Sequence, residues 1–182
     1  MATKTTKKLI KELDDKDVKI RYYAAGNRYA SPEVLLKAME DKDWGVRKAA
    51  AGNPNATPEL LMMALEDKDV NVRYAVVGNE CATPEVLLKA LGNKNVEVRY
   101  AAARNRNATP EILLKALGDK NSFVRRGAVL NPNVRKLQLP LEKWLQLVST
   151  DIPVKNVPSW VKKSPQYKTT RILSKLSQST ET

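Results

Sequence analysis

The 182 residues are 42% apolar and 29% charged, an ordinary balance that excludes a wholly disordered chain. With no histidine and a single cysteine, Cys81, the usual general base, the usual zinc ligand, an intrachain disulfide and a cysteine metal cluster are excluded. A net charge of +12 favours polyanions or acidic protein faces as partners.

The first eight residues, Met-Ala-Thr-Lys-Thr-Thr-Lys-Lys, have no secretory-type apolar core behind them. No run approaches the ~18 apolar residues of a membrane span, so the expected location is cytoplasmic. A strict period then governs the chain. Arg21, Arg47, Arg73, Arg99 and Arg125 lie 26 residues apart. The same spacing separates Asn27, Asn53, Asn79, Asn105 and Asn131, and also Pro32, Pro58, Pro84 and Pro110. The register is unbroken over 5–134, giving a repeat array within 1–134 of five units: 5–30, 31–56, 57–82, 83–108 and 109–134.

Each unit predicts two helices. Ser31-Pro32-Glu33, Thr57-Pro58-Glu59, Thr83-Pro84-Glu85 and Thr109-Pro110-Glu111 open the first one. The hydroxyl caps free amides, proline fits the first turn, and glutamate suits the positive end of the helix dipole. In the first unit Thr5-Thr6-Lys7 stands in their place. Leu35, Ala38 and Met39, or Leu61, Ala64 and Leu65, follow the i, i+3, i+4 spacing that buries one helical face. The helix ends at Asp-Lys-Asp or its asparagine relatives. The second helix starts near Trp44, Val70, Val96 or Ser122. Val72, Ala75, Val76 and Asn79 share one of its sides, repeating Val46, Ala49, Ala50 and Asn53, while Tyr74 points away. Small alanines let neighbouring helices approach to roughly 8 Å, and Gly26, Gly52 and Gly78 loosen the helix end before the turn.

Neither helix can bury its stripe alone, so the units must stack. The expectation is an all-α fold, an α-solenoid of five repeats. Lys4, Lys7, Lys8 and Lys11 keep its outer end wet. At the other end Leu141, Trp144, Leu145 and Val148, spaced i, i+3, i+4, i+7, predict a capping helix over 140–149 within a cap of 135–150. Residues 151–182, punctuated by Pro153, Pro158 and Pro165 and rich in Ser, Thr and Lys, predict a basic tail that is ordered only if it docks. A short helix around Ile172, Leu173 and Leu176 fits its pattern.

The string Asn53-Pro54-Asn55-Ala56-Thr57-Pro58-Glu59-Leu60-Leu61, followed by Asp67 to Asp69 and Val72-Arg73, resembles the leucine-rich repeat variant family. Similar strings recur across 5–134. The resemblance implies a bacterial, HEAT-like right-handed superhelix that alternates an α-helix with a second, shorter helix. Two departures stand out. The 26-residue period is slightly longer than that family's usual unit, and the cysteine cluster of its founding member's iron–sulfur module has no counterpart beside Cys81. No cofactor and no metal site are therefore expected.

Four rows of side chains compete for a role. The arginine row could bind phosphates. The structural reading is stronger, because Asp15, Asp41, Asp67 and Asp119 lie six residues before four of the arginines, and Asp17, Asp43 and Asp69 four before three. Recurrent Asp–Arg pairs would then hold each inter-helix turn. Arg99 is the exception, with Asn93 and Asn95 in place of aspartates and Arg104 and Arg106 nearby. The asparagine row suits a buried helix end, satisfying turn amides and carbonyls of the adjacent unit. The outward row varies: Tyr22, Lys48, Tyr74, Tyr100 and Arg126. Tyrosine and arginine are favoured at binding hot spots, and their interleaving also suits single-stranded nucleic acid; the plainer reading is cover over neighbouring helices. A second outward row, Lys37, Met63, Lys89 and Lys115, reads as solvated.

Catalysis has little support: there is no Gly-rich phosphate loop and no nucleophile–histidine pair. A flipped-base pocket has no candidate beyond Trp44 or Trp160 with nearby acids. The leading expectation is a non-catalytic protein-interaction scaffold that offers the Tyr22–Arg126 row to an extended peptide or acidic protein face. The alternative is nucleic-acid binding through Arg99, Arg104, Arg106, Arg126, Lys162 and Lys163. Charge distribution separates the two. Residues 57–82 carry −3 while 135–182 carry +6, so a continuous basic track does not run along the repeats.

Overall fold

Repetition in sequence becomes repetition of helix pairs. The computed structural model describes residues 3–149 and 154–170; among these, every regular element is helical and no strand forms. The chain divides into two compact units, Met1–Ala102 and Ala103–Thr182.

The first unit holds α1 (Lys4–Glu12), α2 (Val18–Ala25), α3 (Pro32–Met39), α4 (Trp44–Ala51), α5 (Pro58–Ala64), α6 (Val70–Gly78), α7 (Pro84–Ala90) and the greater part of α8 (Val96–Arg104). Odd helices open the repeats and even helices close them. Thr57 Oγ1 accepts from the Leu60 amide at 3.3 Å, and Thr83 Oγ1 from Val86 at 3.4 Å. Ser31 departs from this, because its hydroxyl is buried without a partner. Helix α1 starts two residues earlier than the first unit's Thr5-Thr6-Lys7 suggests, with Thr3 as the cap accepting from Thr6 at 3.1 Å. The even helices are capped by Asp17, Asp43 and Asp69, each accepting an amide two residues ahead at 2.8 Å.

Two layers result. Helices α1, α3, α5 and α7 pack in sequence along one, and α2, α4 and α6 along the other. Val34, Leu35, Leu60, Leu61, Val86 and Leu87 fill the seam with Val46, Ala50, Val72 and Val76, all buried. Each of these valine and leucine side chains contributes about 1.5–3 kcal/mol on burial. The buried arc of the even helices differs from the wheel reading. Ala49 and Ala75 are half-buried, while Ala51 and Val77 are fully buried. An even helix touches both its own odd helix and the preceding even helix, so its hidden arc is wider than one face. The glycines that end α2 and α4 keep φ at −81° and −86°, so no left-handed backbone requires them. At Gly52 a Cβ would make a tight contact of 3.3 Å with the Lys48 carbonyl oxygen.

The second unit holds α9 (Pro110–Leu117), α10 (Ser122–Leu130), a 3₁₀ turn at Pro132–Lys136, α11 (Leu141–Ser149), a 3₁₀ turn at Val154–Asn156 and α12 (Ser159–Lys162), followed by helical residues 165–170. Thr109 caps α9 by accepting from Ile112 at 3.4 Å, and Asn121 caps α10 by accepting from Phe123 at 2.8 Å. The Pro132–Lys136 turn packs on α9, α10 and the Val154–Asn156 turn. On α11 Trp144 is fully buried, with Leu141 and Leu145 half-buried; the Val148 side chain lies outside the described residues. The expected basic arm is docked over part of its length: Asn156, Val157 and Val161 are buried. The helix around Ile172, Leu173 and Leu176 lies outside the described residues.

Candidate functional site

Two internal ladders set what remains available on the surface. In the first, Asn53 and Asn79 reach one repeat back. Asn53 Nδ2 donates to the carbonyls of Ala25 and Asn27 at 2.9 and 3.0 Å, and Asn79 Nδ2 to those of Ala51 and Asn53 at 2.8 and 2.9 Å. Their Oδ1 atoms accept amides of their own turns, from Asn55 at 2.9 Å and Cys81 at 2.8 Å. In the second unit Asn131 donates to Ala103 and Asn105 at 2.8 and 2.9 Å. Asn156 repeats the move onto Val129 and Asn131 at 3.2 and 3.4 Å. That last rung escaped the sequence reading because it sits 25 residues after Asn131, outside the strict period, in a segment with no repeat signature.

The second ladder corrects the expected arginine pairing. Arg21, Arg47, Arg73 and Arg99 are buried and turn Nη1 onto two carbonyls of their own turn, as Arg47 does at Asp41 and Lys42, 2.8 and 3.1 Å away. Only the backbone of that aspartate is used. The carboxylate comes from the following repeat. Arg21 Nε and Nη2 grip Asp41 at 2.6 and 3.3 Å, and Arg47 grips Asp67 at 2.7 and 3.0 Å. Burial pushes the Asp67 carboxyl up, but the Arg47 guanidinium and the Asp69 amide outweigh it and hold it below its ordinary value; Asp41 behaves alike. The hydrogen bond with Asp41 raises Arg21, and that with Asp67 raises Arg47. Because the carboxylate crosses between repeats, the side chain of Asn93 stands where Arg73 would find its carboxylate, while Arg99 donates to the Asn93 carbonyl.

On the outward row, Tyr22 and Tyr74 are exposed, each at 47%, Lys48 is exposed and Tyr100 is half-buried. These side chains occupy one repeat position on α2, α4, α6 and α8. Lys48 places its ammonium 5.8 Å from the Trp44 ring centroid, and Tyr22 meets the Tyr23 ring edge-on at 5.7 Å. Arg126 occupies the same repeat position on α10 of the second unit and is exposed. The second outward row is more than solvated. Lys37 bonds Asp14 at 2.7 Å and Lys89 bonds Glu66 at 2.8 Å, each reaching back one repeat.

Among the nucleic-acid candidates, Arg104, Arg106, Arg126 and Lys163 are exposed and Lys162 is half-buried. Arg104 Nη1 also donates to the Leu130 carbonyl at 3.2 Å. Arg99 leaves this set, being 7% exposed with Nη1 on the Asn93 and Lys94 carbonyls at 2.9 and 3.3 Å. Trp44 and Trp160 stand exposed at the surface, not in a recess. Among the described residues no helix is long and apolar enough to cross a membrane.

No protein-family model matches this chain, and no curated protein matches it. Among solved structures it is similar to one described as a leucine-rich repeat variant with a novel repetitive protein structural motif. The two share 19% sequence identity and a TM-score of 0.48, over 93% of this chain and 71% of the other.

Proposed function

We propose that the protein is a non-catalytic interaction scaffold whose row of Tyr22, Lys48, Tyr74 and Tyr100 receives an extended peptide or an acidic protein face. One observation carries this reading. Positions that build the ladders and the seam are held nearly constant from repeat to repeat, while the row on the even helices varies in type and stays open to solvent at Tyr22, Lys48 and Tyr74. A scaffold gains nothing from large amphipathic side chains on its wet side, whereas a binding surface does, because tyrosine buries much area at small entropic cost.

Peptides selected against the intact chain from a random library test the idea. They should be rich in Asp and Glu, and should lose binding to the Tyr74→Ala/Tyr100→Ala variant while its thermal transition stays close to the parent's. Undiminished binding by that variant would reduce the row to cover.

The exposed Arg104, Arg106, Arg126 and Lys163 within the second unit favour a second reading, nucleic-acid binding. Its affinity would fall log-linearly with salt, and a gel-shift assay at about 50 mM salt with no retarded band removes it.

A further inference from the structure

The arginine–aspartate ladder is broken at one rung of the first unit, and the break faces a cleft. Arg73 is only 6% exposed, and its Nη1 donates to the Asp67 and Lys68 carbonyls at 2.6 and 3.1 Å. Its Nε is buried with no partner. In the two preceding repeats that edge of the guanidinium holds the carboxylate of Asp41 or Asp67. Here the corresponding residue is Asn93. Its side-chain oxygen accepts the Asn95 amide at 3.0 Å, as Oδ1 of Asp41 and Asp67 accept the amides two residues ahead, and the other end of its amide, where those residues carry Oδ2, is a donor. A donor cannot satisfy a donor, so the buried Nε–H is left without the carboxylate that Arg21 and Arg47 hold at that edge.

The surroundings select the sign and size of what could complete it. Arg73 and Asn93 line a cleft of about 440 Å³ together with Lys68, Lys89, Lys94 and Glu66. Its two carboxylates are engaged, Glu66 by Lys89 at 2.8 Å and Asp67 by Arg47. The balance of the lining is therefore positive. The two intact rungs supply the shape: a planar carboxylate lying edge-on, one oxygen on Nε and the other on Nη2, displacing the Asn93 amide nitrogen.

We infer that Arg73 and its cleft form a binding site for a carboxylate, either a small free carboxylic acid or the side chain of an Asp or Glu in a partner peptide. This site does not rest on the tyrosine row; Tyr74 variants leave it intact.

The Nε–H of Arg73 gives a direct readout by ¹H–¹⁵N NMR on the full chain, with that of Arg47 as the internal control. The probes are acetate, a capped hexapeptide containing one glutamate, and inorganic phosphate. Acetate and the peptide should move the Arg73 resonance saturably and leave Arg47 still. In Asn93→Asp, which restores the residue type found at 41 and 67, the resonance should already sit near the Arg47 position and ignore both probes. An affinity for the peptide about tenfold or more above that for acetate assigns the ligand to a partner side chain; equal affinities assign it to a free acid. No movement of Arg73 at about 100 mM acetate, an equal response in Asn93→Asp, or tighter binding of phosphate than of acetate would overturn the proposal. Arg73→Lys, which keeps the charge but lacks the two-nitrogen edge, should weaken acetate binding followed at the side-chain amide resonances of Asn93; unchanged binding there counts against the site in the same way.

Discussion

Asn53 and Asn27 carry the same residue at the same repeat position, yet the consequences of Asn→Asp should differ sharply between them. Aspartate preserves size and keeps the oxygen that accepts the amide two residues ahead, from Asn55 or from Tyr29, each at 2.9 Å. It removes only the Nδ2 donors. At Asn53, 2% exposed, that deletes the bonds to Ala25 and Asn27 and sets a carboxylate against two carbonyl oxygens. Two lost hydrogen bonds cost about 2 kcal/mol by themselves, and an uncompensated charge buried among acceptors brings the total to about 3–5 kcal/mol. Asn53→Asp should therefore cost about 3–5 kcal/mol at neutral pH. Asn27 precedes the first rung of the ladder and keeps its one bond, so Asn27→Asp should stay within about 0.5 kcal/mol of the parent. Urea denaturation followed by circular dichroism measures the totals. Because repeat arrays can unfold in parts, hydrogen exchange at the Asn55 amide supplies a local check: its own bond survives, so protection should fall only through opening of the whole turn. Equal costs for the two variants would show that the asparagines act within their own turns and that the inter-repeat bonds hold nothing.

Three further outcomes follow from the same geometry. Asp67→Asn leaves Arg47 buried without a carboxylate and should cost about 3 kcal/mol, whereas Asp69→Asn, at a cap that Asn95 and Asn121 fill naturally, should change stability by under about 0.5 kcal/mol in the same denaturation assay. Asp41 and Asp67 titrate below their unfolded values, so their contribution is complete above about pH 4 and disappears as pH falls through the folded values. Denaturation midpoints should thus be level from neutrality down to about pH 5 and drop in acid, with a smaller drop in Asp41→Asn/Asp67→Asn; an unchanged acid slope there contradicts the assignment. Cys81 stands where Asn55 donates to Arg28 and Ala30 at 2.8 and 3.0 Å, and its thiol reaches only Pro54 at 3.2 Å. Cys81→Asn should raise stability by about 1 kcal/mol, read as a later urea midpoint.

Local chemistry was written plainly in the chain. Ser/Thr-Pro-Glu fixes where the odd helices begin, because capping, a pre-set φ and the helix dipole all act within four residues. The 26-residue period fixes that the units are alike, and the apolar spacing fixes that they must lean on one another. The asparagine role was legible for a similar reason, since a polar side chain repeated on a buried face has to find backbone partners. The outward tyrosines were legible as a face, by their angle on the helix.

What needed three dimensions was the identity of partners across repeats. An aspartate six residues before an arginine and one twenty residues after it are equally regular in a periodic sequence; only packing shows that the near one lends its carbonyl and the far one its carboxylate. The same ambiguity hid the unpartnered Nε of Arg73, because by spacing alone Asn93 pairs with Arg99, and it hid Asn156, whose rung falls outside the period. A repeat fixes the spacing between residues but not which copy each one faces, and the stacked helices alone supply that direction.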